Sequence, residues 1–93
     1  MNLEWDPAKA ATNLSKHGVD FADAAVALED QNALTIEDTS SAEQRFKTLA
    51  LGPEMVVLMI VHAVPIEDTV RIISARRADR KETICYFKGL NHE

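Results

Sequence analysis

Ninety-three residues carrying 10 Lys and Arg against 15 Asp and Glu have a net charge of −5, which fits one domain over 1–93 with a single two-layer core and excludes a protein that binds nucleic acid over its whole surface. A single cysteine, Cys85, excludes an internal disulfide and a cysteine-based zinc site, and fits a reducing cytoplasm. The start, Met1 to Asp6, lacks the basic and apolar regions of an export signal, and the longest apolar run, Met55 to Val61, is far short of the ~20 residues of a membrane span, so neither export nor a membrane partner is expected.

In chain order, Leu3 to Trp5 reads as a short strand. Asp6-Pro7 starts a helix, with Asp6 as N-cap and Pro7 at the first helical position, where its missing N–H costs nothing. That helix is expected to run to His17 and stop at Gly18, which can take the left-handed conformation, with Lys16 and His17 at the negative end of the helix dipole. Asp20 caps a second, Ala-rich helix over Phe21 to Glu29. The residue types then favour strands over Ala33–Glu37, Gln44–Leu51, Met55–Ala63 and Thr69–Ala75. Asp38–Ser41, Gly52-Pro53-Glu54 and Pro65–Asp68 supply the breaks, and such short connections predict an antiparallel meander. Helical spacing returns from Ala78, with Ile84 and Phe87 on one face, and ends near Gly89; His92, in the tail, is given no role. The expected class is therefore α+β, a small antiparallel sheet packed with two N-terminal helices and one C-terminal helix.

Charge is segregated along this order. Residues 18–44 hold seven acids and no Lys or Arg, whereas Arg71, Arg76, Arg77, Arg80 and Lys81 crowd the last strand and the start of the last helix. Arginine presents a planar fork of donors that matches phosphate oxygens, so this cluster suits a polyanion, with RNA the leading partner; surface acids or an acidic protein partner would also satisfy it. Arg45 and Lys47, two apart on a strand, project from one face, where they read either as phosphate contacts or as solvated edge charges. His62 ends an apolar run, where an imidazole can serve in proton transfer or be purely structural. His17 is explained by the helix dipole or by a ligand contact. No metal or cofactor is expected, because the histidines lack ligand spacing and Gly-rich phosphate loops are absent. Metal-independent phosphodiester chemistry remains, in which RNA brings its own 2′-hydroxyl nucleophile and the protein brings position, proton transfer and positive charge.

Two blocks, Trp5-Asp6-x-x-Lys9 with Asn13 and Lys16-His17-Gly18-Val19-x-Phe21-x-x-Ala24, and Arg71-Ile72-Ile73-Ser74-Ala75-Arg76-x-Ala78 with Glu82 and Tyr86, give the chain its resemblance to the BrnT toxins. The resemblance implies a RelE/ParE-like fold with helices on one side of the sheet. It also implies an endoribonuclease toxin of a type II toxin–antitoxin pair that inhibits translation and growth. The implied partners are RNA, a cognate BrnA-like ribbon–helix–helix antitoxin and, through that antitoxin alone, operator DNA, in a homodimer or a 2:2 complex. The family's basic and polar positions fall on Lys9, Lys16, His17, Arg45, Arg71, Ser74, Arg76 and Tyr86. Of these, Arg45, Arg71 and Arg76 are expected to bind and stabilise phosphate, and Lys47 and His62, which the resemblance does not supply, join them as candidates for proton transfer or charge stabilisation. Lys9, Lys16, His17, Ser74, Arg77, Arg80 and Tyr86 are expected to bind RNA, with Tyr86 either stacking a base or closing the core. The alternative function is a non-catalytic interaction module in a transcriptional autoregulation complex.

Overall fold

The computed structural model describes residues 1–90, so His92 lies outside the described residues. Asp6 Oδ1 accepts the Ala8 N–H at 2.8 Å and Pro7 is the next residue, so α1 (Pro7–His17) begins where the residue types require; Gly18 ends it at φ 70° and donates its N–H to the Leu14 carbonyl. Asp20 Oδ1 accepts the Ala22 N–H at 2.9 Å and starts α2 (Phe21–Ala27), which stops short of Glu29. The last helix, α3 (Arg80–Leu90), begins after Ala78 because Asp79 and Glu82 form a capping box. Each residue's backbone N–H donates to the other's carboxylate at 2.8 Å.

The strands β1 (Asn2–Glu4), β2 (Leu34–Asp38), β3 (Arg45–Leu51), β4 (Val57–Ala63) and β5 (Thr69–Arg77) lie in the order β1-β5-β4-β3-β2. The expected antiparallel meander is formed by β2 to β5, and β1 adds in parallel to β5, making the sheet mixed. β4 starts only at Val57 because Pro53–Met55 form a tight turn in which Glu54 and Met55 have φ 62° and 63°.

One face of the sheet carries Ala50, Leu58, Ile60, Ile72 and Ala75 against Phe21, Ala24 and Ala27 of α2. The alanines let α2 approach closely, and Trp5 meets the Phe21 ring edge-on with centroids 6.0 Å apart. On the opposite parity, Leu49 and Val57 pack with Tyr86 of α3. Helices therefore cover both faces, not one, since Tyr86 contacts the strand positions alternate to those that contact α2.

Tyr86 is 1% exposed, and its hydroxyl donates to the Asp30 carboxylate, which also accepts the Leu51 N–H at 2.9 Å. Burial and that carboxylate push the Tyr86 hydroxyl up to about 12. Tyr86→Phe is expected to lower unfolding free energy by about 1–2 kcal/mol, read by urea melting, because Asp30 loses a donor it has been desolvated to meet.

β1 pairs only with Thr69–Arg71, which leaves the later part of β5 as an open edge. Asn13, the one buried residue of α1, closes it: its Nδ2 donates to the Ala75 carbonyl at 2.8 Å and its Oδ1 accepts the Ala75 N–H at 3.1 Å. Nδ2 also donates to the Val19 carbonyl at 3.0 Å. The C-terminal end of α1, with His17, is thereby fixed beside β5.

Candidate nucleic-acid interface

Strand alternation puts Lys47 of β3 opposite Val61 of β4, and Val61 opposite Ser74 of β5, while Met59 faces Arg76. These residues share the α3 face of the sheet, and Glu82 from α3 and His17 from the end of α1 close them into a cleft of about 290 Å³. Met59 and Val61 make its apolar floor, with His17, Lys47, Ser74, Arg76 and the carboxylate of Glu82 as its polar groups. A second hollow of about 320 Å³ adjoins it, lined by Lys9, Thr12 and Lys16 and sharing His17 and Ser74 with the first. Basic groups from α1, β3 and β5 thus lie along one continuous surface.

Arg76 is fixed within it. Its Nη1 and Nη2 donate to the two Glu82 carboxylate oxygens at 2.8 and 2.9 Å, and Nη1 also donates to the Arg77 carbonyl at 3.1 Å. The Nε–H and the Nη2 hydrogen beside it carry no bond among the described residues, and together they form the side-on fork that fits two phosphate oxygens. The pair is stable in its ionised form, since the Glu82 hydrogen bond raises the Arg76 guanidinium and the Arg76 hydrogen bond holds Glu82 below the usual carboxylate range. Glu82 is therefore a positioning residue for Arg76, anchored to the helix start by Asp79.

The sequence model of the family described as the ribonuclease toxin, BrnT, of type II toxin–antitoxin systems matches residues 5–82. The chain belongs to the BrnT family. In structure it is similar to the ribonuclease toxin BrnT of Brucella abortus, known from a 1.1 Å crystal structure, with a TM-score of 0.65 and 24% identity over 86% of this chain and 99% of that one. At that identity the likeness shows a shared fold. No curated protein matches the chain at a significant level.

Of the residues singled out in this BrnT-family chain, His17, Lys47, Ser74 and Arg76 meet in the cleft, and Lys9 and Lys16 line the adjoining hollow. The others stand apart. Arg71 Nε donates to Glu4 at 2.9 Å across the β1–β5 pair. Arg45, the first residue of β3, shares a face with Lys47 but is not part of the cleft lining and lies 3.6 Å from Glu43. Arg77 is opposite Leu58, and so on the α2 face, and Arg80 is exposed at the start of α3. Tyr86 offers no ring face to a base, because the ring is core. Glu82 was present in the sequence without a role; the Asp79-x-x-Glu82 capping spacing was the available signal. Among the described residues no three His, Cys, Asp or Glu side chains converge on a point where they could hold a metal ion, and no helix is long and apolar enough to cross a membrane.

His62 points away from the cleft. Its Nε2 lies 2.8 Å from Thr48 Oγ1, which lies 2.7 Å from Thr35 Oγ1, and Phe46 stacks on the ring. Burial lowers its pKa from 6.5, and its Nδ1 is buried without a partner among the described residues. Because the unfolded chain takes up this proton first, the stability that neutral His62 contributes is complete above pH 6.5 and is lost as pH falls through the lower folded value. Urea melts at about pH 7.5 and about pH 5.5 should therefore differ more for the parent than for His62→Gln; equal differences would remove His62 from the pH response.

Proposed function

We propose that this chain is a metal-independent endoribonuclease toxin whose cleft holds a scissile phosphate between Lys47 and Arg76. One observation carries the reading: in a chain of net charge −5, His17, Lys47, Ser74 and Arg76 come from three separate elements to one cleft. The Arg76 fork and the Lys47 ammonium would bind the phosphate and stabilise the charge that grows on its oxygens. The RNA 2′-oxygen would form a bond to phosphorus as the bond to the 5′-oxygen breaks. The 2′-hydroxyl would lose a proton and the leaving 5′-oxygen gain one, giving a 2′,3′-cyclic phosphate and a 5′-hydroxyl. His17 replaces His62 as the candidate for proton transfer, since imidazole is the side chain suited to it near neutral pH and His17 lines the cleft. Lys9 and Lys16 would hold the neighbouring phosphate over the adjoining hollow.

Cleavage would inhibit translation and growth, and a BrnA-like ribbon–helix–helix antitoxin would neutralise it. The test is digestion of purified total RNA by the isolated chain in EDTA. The expected products carry cyclic phosphate ends, and the log of cleavage at low substrate should fall with log salt at a slope of about −0.7 for each phosphate held. Cleavage that requires added metal would overturn the mechanism.

A further inference from the structure

β2 is an edge strand whose outer flank has no neighbour in the sheet. Leu34 and Ile36, opposite Leu49 and Lys47, lie on the α3 face and are 36% and 66% exposed. From the other side α3 presents Ile84, 45% exposed, and the exposed Cys85. Two hollows of about 430 and 420 Å³ run between β2 and α3 and meet at Leu34 and Cys85. Their floor is apolar, and their charged lining is Lys47, Lys81 and Lys88; among the described residues no carboxylate lines either hollow. In a chain with 15 acids and 10 bases, that is a segregated surface.

We infer that this groove takes an acidic amphipathic helix of a protein partner, its apolar stripe seated on Leu34, Ile36 and Ile84 and its carboxylates on the three lysines. An uncovered sheet face beside a helix is the setting in which a further helix completes a layer. Charge selects the occupant. A two-fold contact with a second copy would set the lysine rim against itself, and RNA would find no exposed aromatic side chain in the groove on which to stack a base. The groove also leads to the cleft, since Lys47 and Met59 line both. A carboxylate bound at Lys47 would occupy the place given above to phosphate, so the partner would block RNA. That last step rests on the proposed ribonuclease reading; the docking itself does not.

Cys85, the only cysteine, reports on the groove directly. The full chain is mixed with a helical peptide bearing leucines at i, i+3, i+4 and i+7 flanked by glutamates, or with the same peptide in which lysines replace the glutamates. Reaction of Cys85 with a thiol reagent is then monitored. The expected result is protection by the glutamate peptide, with the lysine peptide weaker by at least about tenfold, and loss of protection in the Ile36→Thr, Ile84→Gln double variant, which removes the apolar stripe without setting a carboxylate beside Lys47. Both replaced side chains are exposed, and neither lines the RNA cleft, so this variant should keep its melting temperature and its RNA cleavage. Equal protection by the two peptides, protection by neither, or protection that survives in the variant overturns the proposal. So does protection that rises with the chain's own concentration, which would make the occupant a second copy, or protection by an RNA oligonucleotide alone. Failure of the ribonuclease reading would instead appear as uncleaved RNA with Cys85 protection intact.

Discussion

Arg76→Ala is expected to slow RNA cleavage by on the order of 10²–10³-fold, the loss typical of removing one preorganised donor from a developing oxyanion. The effect should fall on the catalytic rate more than on RNA affinity, because Lys9, Lys16 and Lys47 keep the electrostatic attraction. Folding should be nearly unchanged: the Arg76–Glu82 pair is part-exposed, at 42% and 21%, and such pairs contribute about 1 kcal/mol or less. The Asp79–Glu82 capping box still starts α3. Two companions separate charge from geometry. Arg76→Lys keeps the charge but loses the fork, and should remain strongly impaired. Glu82→Gln keeps the fork but holds it less firmly, and should fall between, with more loss in rate than in affinity. Arg71→Ala, which breaks only the exposed pair with Glu4, should cleave within about twofold of the parent. Cleavage by folded Arg76→Ala at the parental rate would remove Arg76 from the mechanism.

The contrast between Arg71 and Arg76 shows what could be read from the sequence and what could not. Asp6-Pro7, Gly18 and Asp20 mark helix ends through local chemistry, and the structure puts α1 and the start of α2 where those residues require. The turns likewise determine that β2 to β5 pair in succession. The direction in which a strand residue points depends on register, which local chemistry does not reveal. Val61 pairs with Ser74 but His62 pairs with Ile72, so Ile73 is an extra residue in β5 and the period of two breaks there. Ile72 and Ala75, three apart, consequently share the core, and a strict alternation drawn back from Arg76 would have misplaced every residue before Ile73. The same limit applies to Lys47 and His62, which point to opposite faces of the sheet, and to α3, whose apolar spacing says that it is packed but not on which face. The cleft is made of long-range pairings between residues whose types were recognisable singly.

Asn13→Ala is expected to cause a larger loss of stability than Arg76→Ala or Glu82→Gln. The side chain satisfies three backbone groups, the Ala75 N–H and carbonyl and the Val19 carbonyl, and is 6% exposed. Each buried group left unsatisfied costs about 1–3 kcal/mol. Water entering from the hollow that Asn13 itself lines would recover part of this, so a net loss of roughly 3 kcal/mol is expected. For a domain of 93 residues that corresponds to a melting temperature lower by roughly 12–24 °C. Asn13→Asp should be no better despite its shape, because a carboxylate accepts the Ala75 N–H but faces two carbonyl oxygens with no hydrogen to offer. Functional loss should accompany the structural loss, because Asn13 holds the C-terminal part of α1 against β5 and so sets where His17 meets Ser74 and Arg76. The two losses can be separated at low temperature, where Asn13→Ala is still folded. There, cleavage should remain below that of the parent, and hydrogen exchange at the Ala75 amide should be faster. An Asn13→Ala chain that melts within about 2 °C of the parent would mean that the edge of β5 is closed by something other than this side chain.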